Sequence, residues 1–341
     1  MMQWLLSKLP TRANNLTRTG AGRFGPAPLL NSSAQTLMSH RPSPVTHAGA
    51  VVRRPSPWPW LAPVALMIGL FYLYPVLDAL RLAFTDAALT SSDENFSTRA
   101  LFAVLSSPAL PTILGNTVIF VGASVIGQTL FGLAIALLVV RGERNNLPGM
   151  LFLRTIVLAA WVIPGIANGI IWSMLFSESP FGAINSVLRI LNIPTVAWLS
   201  TPANAMMSVV IANVWQGTAF SMIVLYAALR AIDPTLYEAA AIDGARAWDR
   251  FRFITLPQLR AALLVNAILI TIQTLNTFDS IISLTGGGPG RATEVLSLFT
   301  YNTVFYNFDL AGGSVLSLVL LLSALALAAL YARFLPREEK R

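Results

Sequence analysis

The segment LAGGSVLSLVLLLSALALAALYA, residues 310–332, contains no charged side chain and is rich in leucine and alanine. A bilayer core of about 30 Å is crossed by a helix of roughly 20 apolar residues. This segment is long enough to do so, and the next residue, Arg333, is charged. It therefore predicts a transmembrane helix.

Five further stretches of similar character precede it. Prolines such as Pro108, Pro111, Pro194 and Pro202 separate them, and Asp279 is the only charged residue inside the fifth. The six predicted spans are residues 58–80, 114–140, 155–177, 205–229, 261–284 and 310–332. The fold class is therefore an all-α membrane protein with six transmembrane helices.

Composition agrees with a lipid environment and excludes several kinds of site. Charged residues make up 11% of the 341-residue chain, against about 25% in a soluble domain. Cysteine is absent, which excludes disulfides and thiolate zinc sites. The two histidines, His40 and His47, lie in the polar N-terminal stretch outside the apolar body, which argues against Ser-His-Asp catalysis. We therefore expect neither catalytic residues nor a metal or cofactor.

A nucleotide site is also not expected. The only lysines, Lys8 and Lys340, follow no glycine-rich turn, whereas a phosphate-binding loop ends in Gly-Lys-Ser/Thr. The glycine run at residues 286–288 is followed by Pro289 and is interpreted as an outer turn.

The basic residues indicate the orientation. With the N-terminus inside, only Arg81, Arg99, Arg189 and Arg291 of the 23 lysines and arginines lie in outer loops. The positive-inside rule then places both termini in the cytoplasm. The net charge of +8 is thus interpreted as a topology signal rather than a nucleic-acid-binding surface.

The domain prediction has a membrane domain flanked by two tails. Residues 1–54 are rich in Arg, Ser, Pro and Thr without a sustained apolar period, which predicts a disordered cytoplasmic tail. A transit peptide and an over-extended gene start, with Met38 as the true start, remain alternatives. Residues 55–336 form the membrane domain, and residues 337–341 a short cytoplasmic tail.

The connection between the fourth and fifth spans, residues 230–260, predicts two short helices rather than a plain linker. Asp233 is a suitable N-cap and Pro234 a suitable first helical residue. Gly244 stands where a helix end takes a left-handed residue. A second helix is expected over 245–254, before Pro257 turns the chain toward the next span.

The side chains of this connection suit a docking surface. The first helix has a small-residue face, Ala239 to Ala241, between the carboxylates of Glu238 and Asp243. Trp248, Phe251 and Phe253 on the second helix need burial, either under the membrane helices or in a partner. An ordinary amphipathic hairpin at the membrane surface is the alternative.

Two runs of residues resemble a known family. The run Glu238-Ala-Ala-x-x-Asp-Gly-Ala245, with Phe251, Ile254, Leu256 and Pro257 after it, resembles the EAA loop of binding-protein-dependent ABC importer permeases. The run Leu284-Thr-Gly-Gly-Gly-Pro289, followed by Ala-Thr-Glu294, resembles the segment after the fifth span in carbohydrate-type permeases, the kin of the maltose and glycerol-3-phosphate permeases. The resemblance extends from about residue 58 to residue 334.

The resemblance implies a type I ABC importer permease of the MetI-like fold in the inner (plasma) membrane. It implies translocation of a sugar or polyol delivered by a periplasmic or lipid-anchored solute-binding protein. It also implies a cytoplasmic ABC ATPase dimer, which hydrolyses the ATP, and a second, related permease subunit in a heterodimer. The residues that would form the coupling contact with the ATPase are Glu238, Ala239, Ala240, Asp243, Gly244 and Ala245.

Polar and aromatic residues inside two spans predict the permeation path, because sugars need hydrogen-bonding side chains and aromatic faces. The residues are Asn213, Gln216, Gly217, Phe220, Thr274, Thr277 and Phe278. Hydrogen bonding between helices explains each polar residue equally well. Thr274 and Thr277 stand where the resembled maltose permease has asparagines, so the substrate need not be maltose.

Two other functions remain open. An ion-coupled secondary transporter typically has inverted repeats and intramembrane charges, but this sequence has no evident repeat and one mid-span acid, Asp279. A membrane scaffold would use the 230–260 loop only to dock a cytoplasmic partner.

Overall fold

The computed structural model describes residues 58–91 and 95–334. The predicted tails, 1–54 and 337–341, lie outside the described residues. The α-helices, in chain order, are α1 Trp58–Ile68, α2 Tyr74–Leu82, α3 Arg99–Leu105, α4 Leu110–Arg144, α5 Met150–Val162, α6 Gly165–Leu175, α7 Ala183–Ile190, α8 Pro202–Arg230, α9 Pro234–Ile242, α10 Ala247–Arg250, α11 Leu256–Gln258, α12 Arg260–Leu275, α13 Asp279–Leu284, α14 Leu296–Phe305 and α15 Leu310–Ala332.

The membrane-spanning helices agree with the predicted fold class. Four helical stretches of the described part are long and apolar enough to cross a bilayer alone, at 60–82, 110–144, 202–230 and 310–332. Two bent helix pairs bring the total to six if each pair counts as one span. A π-helical turn, Gly69–Leu73, joins α1 to α2 within the first span.

The centre of the bundle is the contact between α4 and α8. Gly132 of α4 leaves no room for a Cβ, which would stand 2.5 Å from Cβ of Ser221 in α8. Gly127 lies in the same way against Val214. Small residues allow two helices to approach closely in a membrane, where dispersion contacts and hydrogen bonds drive helix association. These glycines therefore set the close approach of α4 and α8.

The predicted third span, 155–177, is not one straight helix. Its two halves, α5 and α6, meet at an angle of 104°. Ile163 has an extended backbone with ψ 126°, and Pro164 follows it. A proline lacks an N–H and disfavours the helical conformation of the residue before it, so the helix ends there.

The predicted fifth span, 261–284, is also interrupted. Helix α12 ends at Leu275, and α13 begins only at Asp279. The Asn276 side chain donates to the backbone oxygen of Ile272 at 2.8 Å, and the Thr277 hydroxyl to that of Gln273 at 3.1 Å. Such side chains compete with the backbone for the carbonyls of the last turn.

An apolar cluster supports the bundle end that carries the 230–260 connection. Met222, Leu225 and Leu229 of α8 pack with Ile232 and with Leu259, which precedes α12. Because Ile232 and Leu259 flank the connection on its two sides, burying them anchors both of its ends.

Candidate coupling site and permeation path

The first helix of the connection forms as the sequence predicts. Helix α9 covers Pro234–Ile242, and Asp233 is its N-cap, accepting the backbone N–H of Thr235 at 2.9 Å. That N–H holds the pKa of the Asp233 carboxyl below its usual value, because it stabilises the charged form. The cap thus satisfies an otherwise unpaired donor at the helix start.

Gly244 makes the predicted bend. Its φ is +78°, in the left-handed region that favours glycine. The backbone N–H of Ala245 donates to the oxygen of Ala240 at 2.9 Å, and that of Gly244 to Ala241 at 3.1 Å. These bonds satisfy carbonyls at the end of α9 and reverse the chain.

The second helix differs from the prediction of 245–254. It begins at Ala247, because Arg246 is extended and its N–H donates to Oδ2 of Asp249 at 3.1 Å. The helical path then continues through the π-helical turn Phe251–Thr255 into α11. Pro257 lies in the first turn of α11, where a missing N–H is tolerated, so it does not interrupt the path.

The predicted coupling residues lie on the surface. Glu238, Ala239, Asp243 and Gly244 are exposed, whereas Ala240 and Ala245 are half-buried. None of these residues is sealed beneath the membrane helices. The small-residue face and the carboxylates of the hairpin are therefore exposed on the surface of the chain.

Large apolar side chains extend this surface. Ile242 is 88% exposed, Trp248 65% and Phe253 70%. Phe251 is half-buried and its ring lies 5.5 Å from that of Trp248. The sequence predicted that the aromatic residues are buried either under the membrane helices or in a partner. The membrane helices of this chain do not cover Trp248 and Phe253.

Tyr237 holds the hairpin against the bundle. Its hydroxyl is hydrogen-bonded to that of Thr255 at 2.9 Å, which links α9 to the second half of the hairpin. The guanidinium of Arg144, at the end of α4, lies 5.2 Å from the centre of the Tyr237 ring. The hairpin is therefore attached to α4 as well as to α8 and α12.

A charge cluster beside the hairpin was not predicted. Glu143 of α4 accepts the hydroxyl of Tyr226 at 2.8 Å and lies 3.8 Å from Arg154 and 3.6 Å from Arg230. It connects the ends of α4, α5 and α8. The available signal was a lone acid among the arginines at these helix ends.

Part of the predicted permeation path comes together where α4, α6 and α8 meet. Gln128 donates to the backbone oxygen of Asn213 at 3.3 Å, and its side chain lies against Gly217. Gln216 accepts from Asn168 at 3.1 Å and donates to the oxygen of Ile163 at 2.6 Å. Gln216 thus satisfies the carbonyl left free at the break between α5 and α6.

Two polar atoms of this group have no hydrogen-bond partner among the described residues, and one of them is the buried Oδ1 of Asn168. The side-chain nitrogen of Asn213 is buried and has no hydrogen-bond partner among the described residues. Gln128, which the sequence reasoning did not select, packs directly on two of the selected residues. Its only sequence signal was a polar residue in the middle of an apolar span.

The remaining predicted residues lie elsewhere. Phe220 contacts Trp161 with ring centres 5.9 Å apart, and Phe278 stacks on Tyr301 at 4.9 Å. Thr274 is buried in α12, and Thr277 bonds within its own helix end. Across the described part of the chain, no hydrogen bond joins these two threonines to the Asn213 group.

The run after the fifth span folds into a partly buried turn. Gly286, Gly287 and Gly290 have positive φ values of 62°, 89° and 62°. The Thr293 hydroxyl is bonded to that of Thr285 at 2.7 Å and to the oxygen of Gly288 at 2.9 Å. The turn is therefore held by its own side chains.

The carboxylate at the end of this turn is also paired. Glu294 accepts the amide of Asn302 at 3.0 Å and lies 3.1 Å from Nε of Arg291. Asn116 of α4 donates to the backbone oxygens of Arg291 and Glu294. These bonds tie the turn to α4 and α14.

Residues 128–340 match the pattern of the family described as binding-protein-dependent transport system inner membrane component. The chain belongs to this family. This permease is 36% identical to a trehalose/maltose transport system permease protein of Thermococcus litoralis over 275 residues, which is 80% of this chain and 91% of the relative. It is 32% identical to a sulfoquinovosyl glycerol transport system permease protein of Agrobacterium fabrum, over 82% and 90% of the two chains.

A solved structure supports the fold. A chain of a bacterial ABC transporter involved in the import of the acidic polysaccharide alginate has a TM-score of 0.69 to this permease. The two are 21% identical, and the match covers 83% of this permease and 96% of the other chain. The predicted importer-permease fold is confirmed.

Family membership decides between the three functions that the sequence left open. The chain is an inner-membrane permease component of a binding-protein-dependent importer. The ion-coupled secondary transporter and the membrane scaffold are therefore set aside.

Proposed function

We propose that this permease moves a sugar or related polyol across the inner membrane, driven by ATP that a separate cytoplasmic ATPase dimer hydrolyses. The substrate class is supported by relatives named for trehalose and maltose and for sulfoquinovosyl glycerol. The structural neighbour named for alginate import is also crystallised with an alginate pentasaccharide-bound periplasmic protein. A solute-binding protein is accordingly the proposed source of substrate.

The coupling proposal rests on the exposed hairpin. Glu238, Ala239, Ala240, Asp243, Gly244 and Ala245 form the proposed contact with the ATPase. The exposed apolar side chains of Ile242, Trp248 and Phe253 extend it, since large exposed apolar groups mark interaction surfaces. Attachment through Tyr237 to α4 lets a movement of the hairpin reach the membrane helices.

The proposed orientation is supported by the hairpin and the charges together. With both termini in the cytoplasm, the 230–260 connection lies on the same side as the ATPase. Arg144, Arg154 and Arg230 then lie at the inner helix ends, as the positive-inside rule requires. A second, related permease is the proposed partner in the membrane, so that two hairpins meet the ATPase dimer.

The proposed substrate path follows α8 and α12. Asn213 has a buried donor without a partner, which a hydroxyl of the substrate would satisfy. Phe220, Thr274, Thr277 and Phe278 are proposed to line the path further along. Gln216 and Gly217 are proposed to act there by holding α8 against α6 and α4.

Copurification and transport test the coupling contact. The change Ala239→Trp places a bulky ring on the exposed small-residue face of α9. We expect the full complex to lose its ATPase on purification and to lose ATP-driven sugar uptake in proteoliposomes. The matched control is Ala227→Trp, an exposed alanine of α8 outside the hairpin. Full uptake by the Ala239→Trp complex would contradict the proposed contact.

Uptake kinetics test the path. The change Asn213→Ala removes the unpartnered donor, and we expect a higher KM for the transported sugar, because a buried substrate hydroxyl loses its bond. Asn307→Ala, at an exposed position outside the path, is the control. An unchanged KM in the Asn213→Ala permease would remove this residue from the path.

A further inference from the structure

A basic pocket lies between the end of α4, the end of α8 and the hairpin. Its volume is about 350 Å³. Arg141 and Arg144 of α4 and Arg250 of α10 line it. Leu137 of α4 and Leu229 of α8 supply part of its apolar wall. The pocket is distinct from the Glu143 cluster and from the exposed face of α9.

The charges in this pocket are not balanced within the described residues. No carboxylate lines the pocket, and none of the ion pairs in the described part of the chain includes Arg141, Arg144 or Arg250. The neighbouring acid, Glu143, is occupied by Arg154 and Arg230. Three guanidinium groups around one concavity create a positive potential that attracts an anion. Planar guanidinium groups suit phosphate oxygens in particular.

The pocket changes from apolar to basic along one helix face. Leu137, Arg141 and Arg144 are spaced by four and three residues, so they lie on the same face of α4. At 1.5 Å per residue, Leu137 and Arg144 are separated by about 10 Å along the axis. That change within about 10 Å matches the boundary between lipid chains and headgroups, where basic pockets between helices bind anionic lipid headgroups.

We propose that this pocket binds the phosphate headgroup of an anionic phospholipid of the cytoplasmic leaflet. Arg141 and Arg144 contact the phosphate from α4, and Arg250 contacts it from the hairpin. Leu137 receives the start of an acyl chain. The apolar wall favours a lipid over an acidic surface of a protein partner, because only a lipid has an acyl chain that can pack against this wall.

The bound lipid would connect the hairpin to the membrane helices. Arg144 already lies over the ring of Tyr237 in α9, and Arg250 belongs to α10. A phosphate between these two arginines replaces their mutual repulsion by two attractions. The site thereby makes the position of the coupling hairpin sensitive to the lipid composition. This consequence rests on the proposed orientation and coupling role.

Lipid binding to the purified full-length chain tests the site directly. The chain in detergent is titrated with phosphatidylglycerol and, separately, with phosphatidylcholine, and bound lipid is counted by native mass spectrometry. We expect phosphatidylglycerol to bind the wild type, and the combined change R141Q/R144Q/R250Q to weaken this binding about 100-fold, since each basic residue contributes about fivefold. The matched control is Arg260→Gln, an exposed arginine at the same bundle end outside the pocket.

The other outcomes overturn the proposal. Equal loss in the Arg260→Gln chain would show general charge attraction, and equal binding of phosphatidylcholine would show no headgroup selection. Competition by sn-glycerol 3-phosphate at the lipid's own concentration would identify a site for free phosphate esters instead. The charge-retaining change R141K/R144K/R250K should bind phosphatidylglycerol, which separates loss of charge from misfolding. Failure of that variant to bind would contradict a charge-based site.

Neither the ATPase nor a sugar is present in this titration. The result therefore stands whether or not the chain transports a sugar. A second measurement is whether the ATPase copurifies with the R141Q/R144Q/R250Q permease. Loss of the ATPase together with unchanged lipid binding would assign the pocket to an acidic protein surface and overturn the lipid site.

Discussion

Two short segments carry the family resemblance, and the structure treats them in opposite ways. The inner segment, residues 238–257, is named for its proposed side of the membrane and keeps Glu238 and Asp243 exposed together with Trp248. The outer segment, residues 284–294, is likewise named for its proposed side and buries its end, where Thr293 is 0% exposed and Glu294 5%. A recognisable motif thus marks a surface in one case and a folded turn in the other.

The difference suggests that polar residues serve stability in one segment and contact with a partner in the other. In the outer segment each named polar side chain has a partner within the chain, so substitution should act on stability. In the inner segment the side chains of Glu238 and Asp243 have no hydrogen bond or ion pair among the described residues, so their substitution should act on coupling. Matched substitutions in the two segments test this separation.

The largest effect on stability is expected from the outer carboxylate. Glu294→Ala leaves the amide of Asn302 and the guanidinium of Arg291 without their partner, which should lower the free energy of unfolding by about 2 kcal/mol. Thermal unfolding in detergent measures the loss. The same change at the exposed Glu238 should leave the unfolding temperature unchanged and reduce ATP-driven uptake. A destabilised Glu238→Ala chain would break the comparison.

The second effect compares two left-handed glycines. Gly244 and Gly290 have φ values of +78° and +62°, and neither has an atom within 4 Å of an added Cβ. Valine at either position should cost about 1.5 kcal/mol, because the side chain opposes this backbone conformation. At Gly244 the same cost should lower uptake about tenfold, since it displaces α9. Equal loss of uptake in the Gly290→Val permease would remove the special role of the inner bend.

The third effect compares two helix caps. Asp309 accepts the N–H of Gly312 at 2.7 Å at the start of α15, and Asp233 accepts that of Thr235 at 2.9 Å at the start of α9. Asp309→Ala should lower the free energy of unfolding by about 1 kcal/mol, with uptake per folded molecule retained. Asp233→Ala should cost a similar amount, because it removes the same kind of cap, and should in addition reduce uptake, though less than Gly244→Val. Circular dichroism during heating and uptake assays provide the two measurements.

The smallest effect concerns the attachment of the hairpin. Tyr237→Phe removes one hydrogen bond and should destabilise the chain by about 0.5 kcal/mol. The loss is small because the Thr255 hydroxyl keeps a contact with the oxygen of Arg250 at 3.4 Å. Tyr301→Phe, at a ring that stacks on Phe278, is the control and should change nothing. A large loss of uptake in the Tyr237→Phe permease would make this bond part of the coupling path.

Local signals predicted the hairpin well. Asp233, Pro234 and Gly244 act on backbone groups within a few residues of themselves, so their roles are readable from the chain. The start of the second helix was placed two residues too early, because the Asp249 carboxylate holds the N–H of Arg246 outside the helix.

The broken spans were not predicted, although Pro164 and Asn276 were visible. Hydropathy reports how many apolar residues follow one another, and it does not report the direction of the axis. At the 104° bend, the carbonyl of Ile163 is satisfied by Gln216, which lies 53 residues later. The carboxylate of Asp279 also lies against Gly165, at the start of α6.

The permeation path shows the same limit. Gln128 contacts the backbone of Asn213 from 85 residues away, so no local pattern links them. The sequence predicts Gln216 and Gly217 in the substrate path. In the structure, Gln216 is hydrogen-bonded to Asn168 of α6, and Gly217 packs against Gln128 of α4. The family and the fold, by contrast, followed from the spans and the two motifs.

The sequence alone determined the lipid environment, the number of candidate spans, the charge bias between the two sides and the bend at Gly244. These depend on composition and on interactions within one or two helical turns. Only the tertiary structure decided the two helix breaks, the pairing of Gln128 with Asn213, and the burial of one motif against the exposure of the other. Those features require side chains far apart in the chain to meet, and which of them meet is set by how the helices fit together.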